Sequence, residues 1–204
     1  MKIEVRNDCV LIDGYVNAIE RDSKVLYGKK GKFIEKIKAG AFQRSLERAK
    51  CSKSDVKVLL NHDYNRELTS TKDEKTIIKE DSIGLRCTCE IRDAEVIEKA
   101  KKGKLSGWSF GFIPLKEEVN NSDNEIMHRD VRELELKEVS ILDNTKIPAY
   151  DGTSIETRTE TFEDFIEIRM VNDEVEIEDK TIEKKEPFNN YEWENRYMAT
   201  RVGY

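Results

Sequence analysis

An alternating segment near the middle of the chain, residues 105–112 with the sequence Leu-Ser-Gly-Trp-Ser-Phe-Gly-Phe, places the strongest constraint on the fold. Side chains of a strand point alternately to two faces, so three aromatic residues share one face and Ser109 lies on the other between two glycines. The aromatic face is suited to a hydrophobic core. Because glycine inside a strand often marks a close approach by a ligand or another backbone, Ser109 is either an accessible nucleophile or a small residue at a crowded bulge.

The chain contains two histidines that could activate a serine hydroxyl. His62 follows the apolar segment 56–60 and is predicted to end a strand, whereas His128 follows a polar segment that is predicted to form a hairpin loop. A rigidly held imidazole is the better general base, because catalysis depends on fixed geometry. His62 is therefore the preferred base, and the alternative is a half-buried histidine that bonds to a backbone carbonyl.

Two polar residues, Glu138 and Ser140, interrupt the apolar pattern of the last predicted strand, in which both are expected on the same face as Leu134 and Leu136. A buried carboxylate needs a partner, because burying an unpaired charge is costly. An imidazole N–H is a suitable partner, and the carboxylate would then orient the base. Glu138 therefore either orients His62 or lies in water on an edge strand.

The remaining pattern predicts a β-rich domain with two helices. Residues 40–49 and 93–102 have helical spacing of apolar side chains, and residues 64–75 are predicted to form a loop. Short strands separated by turn signals are typical of an all-β barrel or sandwich. The two helices shift the expected class to α+β, mostly β.

Several motifs resemble, in their order and spacing, the prohead maturation proteases of tailed phages. The matching segments are residues 37–42, 61–63, 83–85, 106–112, 136–142 and 147–150. The resemblance covers roughly residues 10–158 and implies a fold similar to herpesvirus assemblins, a closed antiparallel β-barrel flanked by about two helices. It implies that Ser109 is the nucleophile, His62 the base and Glu138 the third catalytic residue, with Ser140 as the alternative.

The resemblance also implies a function. The protein would be a serine endopeptidase, without a cofactor, that cleaves scaffold or capsid-protein extension segments inside the assembling prohead in the host cytoplasm, and that cleaves itself. The expected partners are the major capsid protein, scaffold segments and a second copy of the chain in a dimer. Backbone N–H groups near Gly107 and Gly111, helped by Arg129 or Arg132, would stabilise the oxyanion.

Two other functions are kept as alternatives. The first is a non-catalytic capsid scaffold or assembly factor with the same fold. The second is a small-molecule esterase, because residues 107–111 satisfy G-x-S-x-G in letters. The esterase is disfavoured, since the nucleophile of α/β-hydrolases lies on a strand-to-helix turn and the segment after Ser109 continues as an extended chain.

The charge distribution divides the chain into two parts. Residues 151–204 contain 15 acidic and 7 basic residues, whereas residues 1–150 contain 27 acidic and 29 basic residues. We therefore predict a protease domain over residues 1–155 and an acidic, largely disordered tail over residues 156–204. The alternating segment 174–178 is not predicted as a stable strand, because like charges on one side oppose pairing.

Composition argues against several other classes of protein. The near-neutral domain lacks the basic surface that nucleic-acid binding requires, and no apolar run of about 18 residues predicts a membrane span. The four cysteines include no C-x-x-C pair, so a zinc site is not expected. Free thiols are typical of a reducing compartment.

Overall fold

The computed structural model describes residues 1–28, 31–121, 126–145, 155–158, 165–172 and 174–181. Over these residues the chain forms strands and two helices. The strands are β1 (Lys2–Val5), β2 (Val10–Ala18), β3 (Leu26–Gly28), β4 (Gly31–Ile37), β5 (Lys57–Leu60), β6 (Asp63–Ser70), β7 (Ile77–Glu80), β8 (Gly84–Ile91), β9 (Leu105–Asn121), β10 (Met127–Asp143), β11 (Ile155–Arg158), β12 (Phe165–Asn172) and β13 (Glu176–Asp179). The helices are α1 (Ala41–Cys51) and α2 (Ala94–Lys101).

The strands form two sheets. The smaller sheet has the order β13-β1-β2-β8-β7, and the larger has the order β11-β12-β9-β10-β4-β3, with β5 also paired to β10 and β6 paired to β5. The long antiparallel pair β9–β10 is the centre of the larger sheet. The predicted α+β class, mostly β with two helices, is confirmed.

The hydrophobic core lies on the aromatic face of β9. Trp108, Phe110 and Phe112 are completely buried. The ring of Phe42 on α1 meets Phe110 edge to face, with 5.4 Å between the centroids. Aromatic burial of this extent anchors β9 firmly, because each ring removes a large apolar area from water. The opposite face of the same strand is thereby held in a fixed position.

Both predicted helices are present, at nearly the predicted bounds. Helix α1 follows Gly40, whose φ of 79° is in the left-handed region that glycine adopts readily. Helix α2 begins after Asp93, whose carboxylate accepts a 3.0 Å hydrogen bond from the Val96 N–H. Such a side-chain cap satisfies a backbone donor that has no partner within the helix.

The closed barrel is not confirmed. In a barrel the first and last strands of a sheet are hydrogen-bonded to each other. Among the described residues, β3 and β11 terminate the larger sheet and β7 and β13 terminate the smaller one, without such a bond. The described strands therefore form two open sheets.

Two local expectations are wrong. Within the predicted loop 64–75, residues 64–70 belong to β6, which pairs with β5. Segment 174–178 was not predicted as a stable strand, but its residues 176–178 belong to β13, which runs parallel to β1. The glutamates of β13 are exposed to water, and Lys180 lies 2.9 Å from Glu4 of β1, so solvent and an opposite charge offset their repulsion.

The predicted boundary at residue 155 remains a prediction, but the acidic tail is not disordered throughout. Strands β11, β12 and β13 lie within or just before the predicted tail, and residues 182–204 lie outside the described residues. In the part of the chain that the structure describes, no helix is long and apolar enough to cross a membrane. All four cysteines are free thiols.

Candidate active site

Ser109 lies at the centre of the larger sheet, opposite Ser140 of β10 on one side and Met170 of β12 on the other. Its side chain is on the face opposite to the aromatic core, as the alternation predicts. Ser109 is completely buried. Its position is therefore fixed by strands on both sides and by the rings behind it.

A β-bulge brings Glu138 to the same face as Ser109. Leu136 pairs with Phe112, but the next pair is Glu138 with Gly111, so Lys137 is an extra residue in β10. The predicted common face for Leu136 and Glu138 is therefore wrong: Leu136 joins the core and Glu138 lies on the other face. Bulges are frequent beside active sites because they redirect one side chain without ending the strand.

His62, predicted to end a strand, lies instead in the tight turn between β5 and β6, two residues beyond Leu60, the last residue of β5. Asn61 and His62 both have left-handed backbone angles, with φ of 56° and 62°. The turn is bonded to β10, since the Asn61 N–H donates to the Ile141 carbonyl at 3.0 Å and the His62 N–H donates to Ser140 Oγ at 3.1 Å. Such left-handed residues are uncommon outside glycine and persist only where the surroundings hold them.

The imidazole of His62 and the carboxylate of Glu138 form the central contact of the site. His62 Nδ1 lies 2.8 Å from Glu138 Oε1, and Ser140 Oγ donates to Glu138 Oε2 at 2.5 Å. The side chains are 13% and 2% exposed, respectively. Both carboxylate oxygens therefore accept hydrogen bonds in a nearly dry site, which fixes the orientation of the ring.

Tyr64, on β6, lies close enough to this carboxylate to respond to its charge. Burial, together with the charge of Glu138, raises the pKa of the Tyr64 phenol to about 12. Because Tyr64 is only partly covered, a phenolate would lose part of its solvation, and it would be repelled by the carboxylate. Tyr64 therefore stays neutral beside the His62–Glu138 pair.

The second imidazole nitrogen, Nε2 of His62, is buried and has no hydrogen-bond partner among the described residues. Ser109 Oγ instead donates to the carbonyl oxygen of Arg169 on β12, at 2.7 Å. The structure thus brings a buried serine to the same sheet face as an oriented His–Glu pair, with one imidazole nitrogen unoccupied. His62 Nε2 can accept the proton of a serine hydroxyl that comes within hydrogen-bond distance of it.

A family model with the description Caudovirus prohead serine protease matches residues 1–167 of this chain. The chain belongs to that family. The resemblance to prohead maturation proteases is thereby confirmed, and at the level of the family the protein is a serine peptidase of phage capsid maturation. No curated protein and no solved structure matches the chain.

The second histidine and the two arginines lie elsewhere. His128 is in β10 rather than in a loop, ten residues before Glu138 or roughly 33 Å along the strand. The guanidinium group of Arg129 bonds to three carboxylates, and that of Arg132 bonds to Glu118 at 2.7 Å. The structure therefore gives neither arginine the role of an oxyanion donor.

A buried charge cluster beside β9 was not predicted from the sequence. It joins Glu35 of β4, Arg129 of β10, and Glu167 and Arg169 of β12. Opposite charges hold the pKa of both arginines above the usual value although burial acts in the other direction. No local sequence pattern predicts such a cluster, because its members are up to 134 residues apart in the chain.

Metal chemistry has no evident ligand set here. In the described ranges of the chain, no group of three or more His, Cys, Asp and Glu side chains is arranged to hold a metal ion.

Proposed function

We propose that this chain is the serine endopeptidase that cleaves scaffold or capsid-protein extension segments inside the prohead, and that it also cleaves its own chain. In this proposal Ser109 is the nucleophile, His62 the general base and Glu138 the residue that orients it. The observation that carries the assignment is the 2.8 Å contact between His62 Nδ1 and Glu138 Oε1, which leaves Nε2 without a hydrogen-bond partner among the described residues.

The reaction follows from these roles. Ser109 Oγ attacks the peptide carbonyl carbon while its proton passes to His62 Nε2, and Glu138 stabilises the imidazolium that forms. The tetrahedral intermediate collapses as the imidazolium gives the proton to the leaving amine, and an ester to Ser109 remains. Water attacks this ester while its proton passes to His62, and the imidazolium then returns that proton to Ser109 Oγ as the second product leaves.

The proposed setting is the assembling prohead in the host cytoplasm, with the major capsid protein and scaffold segments as partners and a dimer as the working form. Family membership supports the capsid setting. The buried His62–Glu138 pair and the buried Ser109 support an enzyme rather than a scaffold that has lost its activity, because an unused buried carboxylate is costly to retain.

Covalent labelling by a fluorophosphonate tests the assignment. We expect slow labelling of the wild-type chain over hours at Ser109, and loss of labelling in Ser109→Ala and His62→Ala. His128→Ala is the matched control, since it removes the other histidine far from the site, and it should label like the wild type. Equal labelling of Ser109→Ala would show that the nucleophile is misassigned, and no labelling of any variant would favour the non-catalytic assembly factor.

Self-cleavage is tested in the same variants. Purified wild-type protein, incubated for days, should yield a shorter species by intact-mass spectrometry, whereas Ser109→Ala should stay at full length. Shortening of both at one rate would indicate a contaminating protease.

A further inference from the structure

Strand β12 covers the edge of β9 that carries the nucleophile. The two strands run antiparallel, with Ile168 opposite Gly111 and Met170 opposite Ser109. The backbone groups of β9 on this side are therefore occupied by a segment of the same chain. A protease that binds its substrate as an added strand uses the same kind of edge.

The side chains of β12 alternate between two environments. Ile166 and Ile168 are buried on the face of Ser109 and Glu138, where Ile166 Cγ2 would lie 3.1 Å from a Cβ atom added to Gly111. On the other face, the charged side chains of Glu167 and Arg169 enter the buried cluster described above. Both faces of β12 thus fit their surroundings as a bound peptide would.

Arg169 occupies a defined pocket. Its guanidinium bonds to both carboxylate oxygens of Glu35, at 2.7 and 2.8 Å. It also lies over the rings of Phe33 and Phe112, 5.9 and 5.2 Å from their centroids. A cation–π contact together with a bidentate carboxylate contact is recognition suited to arginine. The pocket therefore distinguishes a basic side chain from an apolar one.

Glu167 makes a second contact between opposite charges. Its carboxylate receives hydrogen bonds from Arg129 at 2.6 and 2.8 Å. Arg129 belongs to β10 and also bonds to Glu35 and Glu117, which lie outside β12. A strand in this position thus contacts Arg129 through one residue and Glu35 through the residue two positions later.

The contact between β12 and Ser109 is unproductive for catalysis. The Ser109 hydroxyl donates a hydrogen bond to the Arg169 carbonyl oxygen, and His62 Nε2 has no partner in the described part of the chain. A general base must reach the proton that it removes. While β12 is paired with β9, the Ser109 hydroxyl bonds to the Arg169 carbonyl oxygen. It does not bond to His62 Nε2, the contact that would activate it.

We propose that β12 is a pseudosubstrate strand that occupies the peptide-binding edge of β9 and keeps the protease inactive. The substrates that replace it are extended peptides with an acidic residue opposite Arg129 and a basic residue, two positions later, in the Glu35 pocket. This inference rests on the proposed function, and it adds the substrate pattern and the inhibition. Departure of β12 also frees the backbone groups of β9 for the incoming peptide.

The full-length variant Ile168→Pro tests the inhibition, because proline cannot remain within a paired strand. Fluorophosphonate labelling of Ser109 should become at least tenfold faster than in the wild type. The matched control is Ile177→Pro, which breaks β13 in the other sheet and should change the rate less than twofold. Hydrogen exchange over residues 165–172 reports whether β12 has been released, and Trp108 fluorescence reports whether the core is intact.

A second pair of variants tests the charge pocket without a backbone change. Arg169→Gln should also accelerate labelling, whereas Arg132→Gln, which removes an exposed ion pair with Glu118, should not. A synthetic peptide of residues 163–173 should slow the labelling of Ile168→Pro again. The same peptide with Arg169→Ala should require at least a tenfold higher concentration for an equal effect.

The possible outcomes separate this inference from the proposed function. Fast labelling of Ser109 in the wild type, equal to that of Ile168→Pro, would overturn the inhibition and leave the nucleophile assigned. No labelling of Ser109 after hydrogen exchange shows that β12 has been released would overturn the nucleophile itself. Equal inhibition by the two peptides would overturn the basic pocket as a substrate determinant.

Discussion

Gly111 and Glu138 lie directly opposite each other in the antiparallel β9–β10 pair, and a Cβ atom added to Gly111 would stand 2.5 Å from Glu138 Oε1. That oxygen is the one that bonds to His62. The absence of a side chain at Gly111 is therefore a condition for the His62–Glu138 contact.

Gly111→Ala should consequently impair catalysis by displacing Glu138. We expect a loss of activity on the order of 100-fold, since small misplacements of catalytic groups cost about that much. The measurement is the labelling rate of Ser109 in a background with β12 released. The double variant Gly111→Ala/Glu138→Gln should be no slower than Glu138→Gln alone, because both changes remove one interaction. Fully additive losses would contradict this explanation.

Glu138→Gln should leave the fold intact and lower activity by a factor on the order of 10⁴, because an amide no longer stabilises the imidazolium or selects its tautomer. The control is Glu135→Gln on the same strand, whose half-exposed side chain pairs with Lys137, and it should retain full activity. The labelling rate and a urea unfolding curve check the two parts of the expectation. Equal activity of the two variants would exclude Glu138 from the catalytic set.

Asp143 should stabilise the fold in a pH-dependent manner. Burial acts to raise the pKa of its carboxyl, but hydrogen bonds from Lys99 and Thr145 outweigh burial and lower the pKa to about 2. A lowered pKa in the folded state means that the stabilisation is complete above the unfolded pKa of about 3.9 and is lost as the pH falls from about 4 to 2.

Asp143→Asn should therefore reduce the free energy of unfolding by about 2 kcal/mol at pH 7, the size expected for hydrogen bonds to a buried charge. The difference from the wild type should shrink as the pH falls below 4. Urea unfolding at a series of pH values measures it. Asp8→Asn, in an exposed pair with Arg92, should show no such dependence, and a difference that persists unchanged at pH 2 would contradict the ionic cause.

Gly84 has a purely structural role at the start of β8. A Cβ atom added there would lie 2.0 Å from the carbonyl oxygen of Asn17 on the adjacent β2, where the register of the two strands shifts. Gly84→Ala should lower the free energy of unfolding by about 3 kcal/mol, because a backbone atom of the neighbouring strand must move.

Gly31→Ala is the comparison for Gly84. Gly31 has a φ of 114°, and no atom of the described residues lies within 4 Å of an added Cβ atom, so alanine there should cost about 1 kcal/mol through backbone strain alone. Urea unfolding of both variants separates the two effects. A larger loss at Gly31 than at Gly84 would show that strain, and not the close approach of β2, dominates.

Local alternation was sufficient to place Ser109. Its segment has aromatic residues at every second position, and this pattern determines which side chains of β9 enter the core wherever the strand pairs. Helical spacing similarly located α1 and α2 to within two residues. These features depend on neighbours in the chain, which the sequence displays directly.

The position of Glu138 required the tertiary structure. Alternation along β10 puts Leu136 and Glu138 on one face, and only the bulge at Lys137 separates them. That bulge arises in the pairing of β10 with β9. The turn at His62 is similar, since its left-handed residues are held by Ser140 and Ile141, which are about 80 residues away.

By itself, the sequence determined the family, and it selected Ser109 and His62 as the proposed nucleophile and base, because short motifs around these two residues carry the resemblance. The tertiary structure decided what surrounds these residues. The charged residues of β12 look like part of a solvated tail when only their neighbours are considered. They can be buried because Glu35 and Arg129, from distant strands, neutralise their charges. Charge pairing between such distant segments produces no periodic pattern in the sequence, so the sequence did not predict it.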